Sequence, residues 1–139
     1  MSFVTTRLRD TTVDGAGTGG YVTIKATFAS DTATNLILDG HDLDGFANGA
    51  KLDLLRAWWS FSIGNYDTDN SNDCIIEFVS TGTDVVALHL SGTGHYDGTA
   101  GAIKGTAVNT TATSSDITAQ TKTTSGFVIL EFKKDENYA

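Results

Sequence analysis

The segment that decides the fold is Tyr21-Val22-Thr23-Ile24-Lys25-Ala26-Thr27-Phe28. Its even-numbered side chains are all apolar, and the side chains between them are polar or, at Tyr21, carry a hydroxyl on an aromatic ring. Because successive side chains of a β-strand point to opposite faces, this period of two predicts a strand with one buried face. The same alternation recurs in two later groups: Val86, Leu88 and Leu90, and Val128, Leu130 and Phe132.

Further strands are predicted wherever short apolar runs lie between turn-forming segments. They cover residues 3–9, 35–38, 74–79 and, with weaker alternation, 102–108. Gly, Asn, Asp, Ser and Thr, which favour turns, dominate the segments between strands: 14–20, 39–49, 64–73, 92–101 and 110–126. We therefore predict a single all-β domain over residues 1–139, an antiparallel β-sandwich of about seven to nine strands, with a jelly roll as one topology it can take.

The longest apolar segment, residues 51–63, changes phase in the middle. Leu52 and Leu54 share one parity, and the opposite parity is shared by Leu55, Ala57, Trp59, Phe61 and Ile63. An unbroken strand would turn one of these two groups to the wrong face, so a β-bulge or a break is predicted near Leu54 and Leu55. A short helix over residues 52–58 is the alternative, because periodicity alone does not type a short apolar run.

The charge of the chain is acidic and unevenly placed. Nine Lys and Arg residues against 17 Asp and Glu residues give a net charge of −8, and no basic residue lies between Arg56 and Lys104. Such a surface repels phosphate backbones and anionic lipids, so we predict neither nucleic acid nor membrane as a partner. The N-terminal residues lack the layout of a signal peptide, and we expect the protein to be made in a cytoplasm and not exported by that route.

Residues 67–73 resemble the start of a calcium-binding loop, because side-chain oxygens recur at positions 67, 69, 71 and 73. Asn72, however, stands where an EF-hand loop needs glycine, and Phe78 where it needs a bidentate glutamate. A solvated hairpin loop is therefore favoured, with a bound cation as the alternative. The glycine-rich segment 15–20 leads into a strand and not a helix, so a turn is predicted there instead of a phosphate site.

The sequence predicts no metal centre, cofactor or catalytic residue. The spacing of His41, His89 and His95 fits no zinc motif, and the single thiol, Cys74, lies in an apolar run typical of a small buried residue. Asp42 and Asp44 could serve a small hydrolase of glycosidic bonds, with Trp58 or Trp59 stacking on the sugar. Two carboxylates this close in a glycine-containing turn are more simply turn formers, so we expect a protein that is not an enzyme.

Trp58 is the residue that points to a function. If Trp59 joins Phe61 in the core, the neighbouring Trp58 must face outward, where a large aromatic side chain is typical of an interface. Phe127 and Ile129 are off-phase to the positions predicted to be buried on the C-terminal strand, and His89 faces away from the apolar side of its strand. The predicted interface residues are thus Trp58, Phe127, Ile129 and His89. The alternative is that the chain covers these positions itself.

A resemblance to a known class of proteins rests on three features of the sequence. They are the segment Ser125–Lys134, the segment Val85–Asp97, and the Thr-, Gly- and Asp-rich loops between short strands. The chain resembles small structural proteins of tailed-bacteriophage virions, especially capsid decoration (cement) proteins. The resemblance implies a β-sandwich without catalysis that binds the outer shell of the virion as a homo-oligomer, a trimer or a dimer. Its partners would be the major capsid protein or other virion proteins, and assembly would take place in the host cytoplasm.

A second function stays open at this point. In a carbohydrate-binding module, or a receptor-binding domain of a fibre or tail, three aromatic side chains beside the acidic loops would form a platform for stacking on sugars. The residues proposed for it are Trp58, Tyr66 and Tyr96.

Overall fold

The computed structural model of the chain describes residues 3–11, 20–63, 74–79, 84–99, 101–105 and 116–138. These residues form seven strands and one three-residue 3-10 helix at Gly40–Asp42. All strand pairings are antiparallel, which confirms the predicted all-β fold. The strands are β1 Phe3–Asp10, β2 Tyr21–Leu38, β3 Phe46–Ile63, β4 Cys74–Phe78, β5 Val85–Leu90, β6 Thr93–Tyr96 and β7 Ile117–Tyr138.

Two long strands, β2 and β7, run through both halves of the molecule. Residues 21–28 of β2 pair with residues 126–133 of β7 inside a larger half, whose strand order is β1-β2-β7-β3-β6. The smaller half begins beyond the register shifts at residues 28–33. There the end of β2 pairs with residues 117–121 of β7, this part of β7 pairs with β4, and β4 pairs with β5. Strands that pass between halves through such irregularities let a sheet bend over itself. The domain is therefore sandwich-like, and its order differs from the eight-stranded double sheet of a jelly roll.

One hydrophobic core lies between the halves, and the predicted alternation places its residues. Val22, Ile24, Ala26 and Phe28 of β2 are buried, as are Val128, Leu130 and Phe132 on β7. The second half contributes Ile76 and Ile117, together with Cys74, which is buried as predicted. Burial of each large apolar side chain stabilises the fold by roughly 1.5–3 kcal/mol, so this alternation supplies much of the folding free energy.

The predicted irregularity in β3 is a β-bulge at Leu55. Leu54 pairs with Phe132 and Arg56 pairs with Glu131, so two steps along β3 match a single step along β7. The extra residue moves the buried parity from Leu52 and Leu54 to Ala57 and Phe61. The alternative of a helix over residues 52–58 is wrong, because these residues lie within β3, which pairs with β7 along this stretch.

Three segments predicted as turns are strands instead. Residues 93–96 form β6, residues 46–49 begin β3, and residues 117–126 belong to β7. Threonine suits the pleated surface of a strand. In β6, glycine stands at position 94 because the Trp59 ring occupies the space that a side chain would need. A Cβ atom at Gly94 would lie 2.7 Å from the Trp59 ring. Conversely, the predicted strand over residues 102–108 is reduced, within the part described, to one bridge between Ile103 and Leu54.

One predicted orientation on β5 is wrong. Val86 was expected on the core side with Leu88 and Leu90, but 55% of its surface is exposed. The register between β4 and β5 shifts so that Leu88 pairs with Ile76, whereas Val86 pairs with Glu77. This second bulge turns Val86 to the solvent side. The predicted turns at residues 14–19 and 64–73 lie outside the described residues.

Candidate functional site

The side of the larger half that faces away from the core forms a continuous surface, which we call the outward face. Residues paired across antiparallel strands lie on the same face, so the pairings define its rows. One row contains His95, Trp58, Ile129, Lys25 and Thr6. The rows on either side contain Thr93, Ser60, Phe127, Thr27 and Val4, and Arg56, Glu131, Thr23 and Arg9. Tyr21 and Lys133 extend it at one end.

Apolar and aromatic side chains occupy the middle of the outward face. Trp58 is 38% exposed and Val4 is 64% exposed, while Phe127 and Ile129 are half-buried by their neighbours within the sheet. The outward orientation predicted for Trp58, Phe127 and Ile129 is thus what the structure has. Sequence reasoning missed Val4, because only the pairing of β1 with β2 brings it beside this group. That these residues form an interface stays a prediction.

Cationic side chains lie among the aromatic rings of the outward face. The Arg9 guanidinium is 4.8 Å from the centre of the Tyr21 ring, and the Lys25 ammonium is 5.6 Å from the centre of the Phe127 ring. Both distances fall within the range of cation–π attraction. Arg56 forms an ion pair with Glu131. The outward face therefore presents positive charges that lie over aromatic rings, although the whole chain is acidic.

His89 does not belong to this surface. It is exposed on β5, opposite Ile75, and β5 pairs only with β4 among the described strands. The structure therefore brings three of the four predicted interface residues together and places the fourth on the other half of the molecule. Nothing in the sequence reveals this separation, because it depends on which strands pair.

The proposed sugar platform is divided by the sheet. On β6, His95 pairs with Trp58 and the next residue, Tyr96, pairs with Ala57, so Tyr96 points to the core side. Its hydroxyl donates a hydrogen bond to the Gly101 carbonyl. Tyr66 lies outside the described residues. Of the three predicted aromatic residues, Trp58 alone is placed on the outward face by the described structure.

The turn at residues 39–44 collects acidic side chains on the opposite side of the sheet. The Asp39 carboxylate accepts a hydrogen bond from the His41 amide, which fixes the 3-10 turn. Asp42 and Asp44 are exposed. Core-side residues hold their backbone: Arg7 donates to the Asp42 carbonyl at 3.1 Å, and Lys134 donates to the Asp44 carbonyl at 2.9 Å. The predicted role of this segment as a turn is confirmed, and Trp58 lies on the other side of the sheet.

A cleft of about 230 Å³ lies between β1 and the end of β2, beside this turn. Arg7, Leu36, Asp39 and Asp42 are among the residues that line it. The Arg7 guanidinium already donates to the Asp42 carbonyl and lies 3.7 Å from an Asp10 carboxylate oxygen. Its hydrogen-bonding capacity is thus partly used within the chain. The cleft is also below the usual 300–1,000 Å³ of ligand pockets.

Asp116 is the acidic residue with the most perturbed titration near this turn. Its side chain accepts a hydrogen bond from the Gly40 amide at 3.0 Å, and the residue is only 7% exposed. Burial raises the pKa of Asp116 from its ordinary 3.8 to about 6, and the nearby Asp39 charge adds to the increase, while the Gly40 hydrogen bond opposes it. The folded state therefore holds this proton more tightly than the unfolded state does.

Asp116→Asn is expected to make the protein more stable at pH 7 by about 3 kcal/mol, since one unit of pKa corresponds to about 1.36 kcal/mol. Because the raised pKa favours the protonated folded state, the wild type loses stability as the pH rises from about 4 to about 6. The variant, whose amide oxygen still accepts from Gly40, lacks this loss. Urea unfolding at pH 3.5 and pH 7 measures the effect, and an equal difference between the two proteins at both pH values would contradict it.

Among the described residues there is no group of three or more His, Cys, Asp or Glu side chains arranged to hold a metal ion. The acidic loop 67–73 lies outside those residues. The described part of the chain also contains no helix long and apolar enough to cross a bilayer. Comparison of the chain with models of protein families, with curated proteins and with solved structures finds no match.

Proposed function

We propose that the chain is a non-enzymatic structural protein that binds a larger protein assembly through its outward face. The observation that supports this most strongly is the row of Trp58, Ile129 and Lys25, flanked by Phe127, on the solvent side of a sheet. A sheet face that meets only water usually carries polar residues, whereas interface centres are enriched in aromatic residues and arginine. The aromatic and apolar centre of the outward face therefore supports a role as an interface.

The size of the outward face suits repeated contacts more than one strong contact. Five strands at a spacing of about 4.8 Å and four rows at about 6.8 Å give a plan area of roughly 650 Å². Stable complexes bury about 800 Å² on each partner, so a single contact of this kind is weak. A protein presented in many copies on a symmetric shell gains affinity from multivalency.

More specifically, we propose a capsid decoration (cement) protein of a tailed-phage virion. It would bind the major capsid protein, or another virion protein, as a homo-oligomer, a trimer or a dimer. The support is the resemblance of the segments 85–97 and 125–134 to such proteins, together with a sandwich-like domain of one core and a partly apolar outward face. On this proposal the protein is assembled in the host cytoplasm and remains on the virion.

Trp58→Ala is expected to weaken binding to phage heads by about 30-fold or more, since interface hot spots contribute about 2 kcal/mol or more and are enriched in tryptophan. Its free energy of unfolding should fall by about 1–3 kcal/mol, because the side chain is only 38% exposed and its neighbours in the sheet cover the rest. Co-sedimentation with empty heads of the tailed phage that carries the sequence measures binding, and urea unfolding measures stability.

Val86→Ser is the matched control, because Val86 is an exposed apolar residue of a strand on the other half of the molecule. It should leave binding unchanged. Wild-type affinity in Trp58→Ala would remove the outward face from the proposal. An exposed tryptophan also stacks on sugar rings, so glycan-array binding that is lost in Trp58→Ala would favour the carbohydrate-binding module or fibre domain instead.

A further inference from the structure

The outward face carries a charge opposite to that of the rest of the chain. Its strand residues include four cations and one carboxylate, a net charge of +3, and these residues are Arg9, Lys25, Arg56, Lys133 and Glu131. Since the whole chain has −8, the remaining residues carry −11. Counting Asp97, which follows the last residue of β6, still leaves the face at +2. Asp53, opposite Lys133, is buried and accepts from Lys104 and the Gly105 amide.

This charge separation decides how two copies can meet. Packing two outward faces against each other by a two-fold axis would place like charges together, which costs free energy at an interface. Packing the outward face against an acidic surface pairs opposite charges. Complementary potentials of this kind raise association rates and fix the orientation of partners.

The chain itself offers such an acidic surface on the other side of the sheet. The exposed Asp42 and Asp44 belong to the turn that Arg7, Asp10 and Lys134 hold from the core side. That turn and the outward face point in opposite directions within one copy, so they can meet only between copies. The resulting contact is head-to-tail.

We propose that the outward face of one copy binds the acidic side of a second copy, centred on the turn at residues 39–44. The inference rests on the proposed function, because it names a second copy as the protein that covers the outward face within the assembly, so that Trp58 contributes to head binding by holding the oligomer together. Head-to-tail contacts close into rings or continue as open chains, whereas they cannot form a two-fold dimer. Of the two oligomers named above, a head-to-tail contact can build the trimer as a closed ring and cannot build the two-fold dimer.

Two charge-reversal variants test the contact. Arg9→Glu with Lys25→Glu reverses the charge of the outward face and leaves the turn unchanged. Asp42→Lys with Asp44→Lys reverses the charge of the turn and leaves the outward face unchanged. Each variant alone is expected to be monomeric by analytical ultracentrifugation. An equimolar mixture should regain oligomers, because the turn of the first variant binds the face of the second, and the two reversed surfaces are again opposite in charge.

The wild type should form larger oligomers at 50 mM NaCl, with association weakened by about tenfold or more at 500 mM, since salt screens exposed charges. Val86→Lys with Gln120→Lys is the control for net charge. Both substitutions lie at exposed positions of the smaller half, and this variant should assemble like the wild type. Circular dichroism and thermal unfolding confirm that each variant is folded.

A wild type that is monomeric at 100 μM in 50 mM NaCl would overturn the inference, as would a mixture that stays monomeric. A turn variant that still dimerises would also overturn it, because that result requires face-to-face packing. Binding of a thymidine 20-mer by a monomeric wild type, lost in the Arg9 and Lys25 variant, would show that the face takes an anionic polymer instead. Head binding that depends on Trp58 in a protein that does not self-associate would retain the proposed function while removing this inference.

Discussion

Asp10→Ala is expected to lower the free energy of unfolding by about 3 kcal/mol or more, because it removes the carboxylate that neutralises a buried lysine. Lys134 is 0% exposed, and its ammonium donates to Asp10 at 2.5 Å and to the Asp44 carbonyl at 2.9 Å. A buried charge that loses its counter-charge bears the full cost of leaving water, whereas the intact pair is nearly balanced. Urea unfolding at pH 7 measures the difference.

The double variant Asp10→Ala with Lys134→Met is the control that identifies the cause. Replacing both members of a buried ion pair by apolar groups is often neutral, so the double variant should regain most of the lost stability. Arg7 and the Asp44 amide also contact Asp10, and their lost contacts set the part that is not regained. A double variant as unstable as Asp10→Ala alone would show that the charge of Lys134 is not the reason.

Gly126→Ala is expected to destabilise the protein by about 3 kcal/mol or more, the second large effect. Gly126 lies in β7 with φ near +142°, a conformation that residues with a Cβ atom rarely adopt. An added Cβ would also lie 2.0 Å from the Ser60 carbonyl oxygen and 2.8 Å from the Phe61 Cα atom. Relief requires that β3 and β7 separate where they pair. Thermal or urea unfolding measures the loss.

Gly92→Ala separates the effect of backbone conformation from that of the collision. Gly92 has φ near +60°, and a Cβ there would meet nothing within 4 Å. Its cost should be about 1–2 kcal/mol, the ordinary cost of a left-handed residue. Equal losses in the two variants would mean that the close approach of β3 to Gly126 contributes nothing.

Periodicity predicted the parts of the fold that depend on one strand at a time. The buried sides of β2 and β7 and the bulge at Leu55 follow from which neighbours within a strand are apolar. It failed where a strand lacks large apolar residues, as in β6, whose Thr-Gly-His-Tyr sequence resembles a turn. It also failed at Val86, whose orientation depends on a bulge set by the pairing of β4 with β5.

The candidate site shows the same division. The outward orientation of Trp58, Phe127 and Ile129 could be predicted, because each is off-phase to a buried neighbour. The grouping of these residues with Val4 and Lys25, and the exclusion of His89, could not, because they depend on strand order. Lys134 follows the parity of the buried residues on β7, yet its partner Asp10 is 124 residues away in the sequence.

The passage of β2 and β7 through both halves of the molecule has a mechanical consequence. In a sandwich held only by side chains, a pulling force can part the layers along a seam. Here two covalent backbones cross that seam, so load applied to one half passes to the other along the chain itself. One half therefore cannot separate from the other without unpairing or extending β2 and β7.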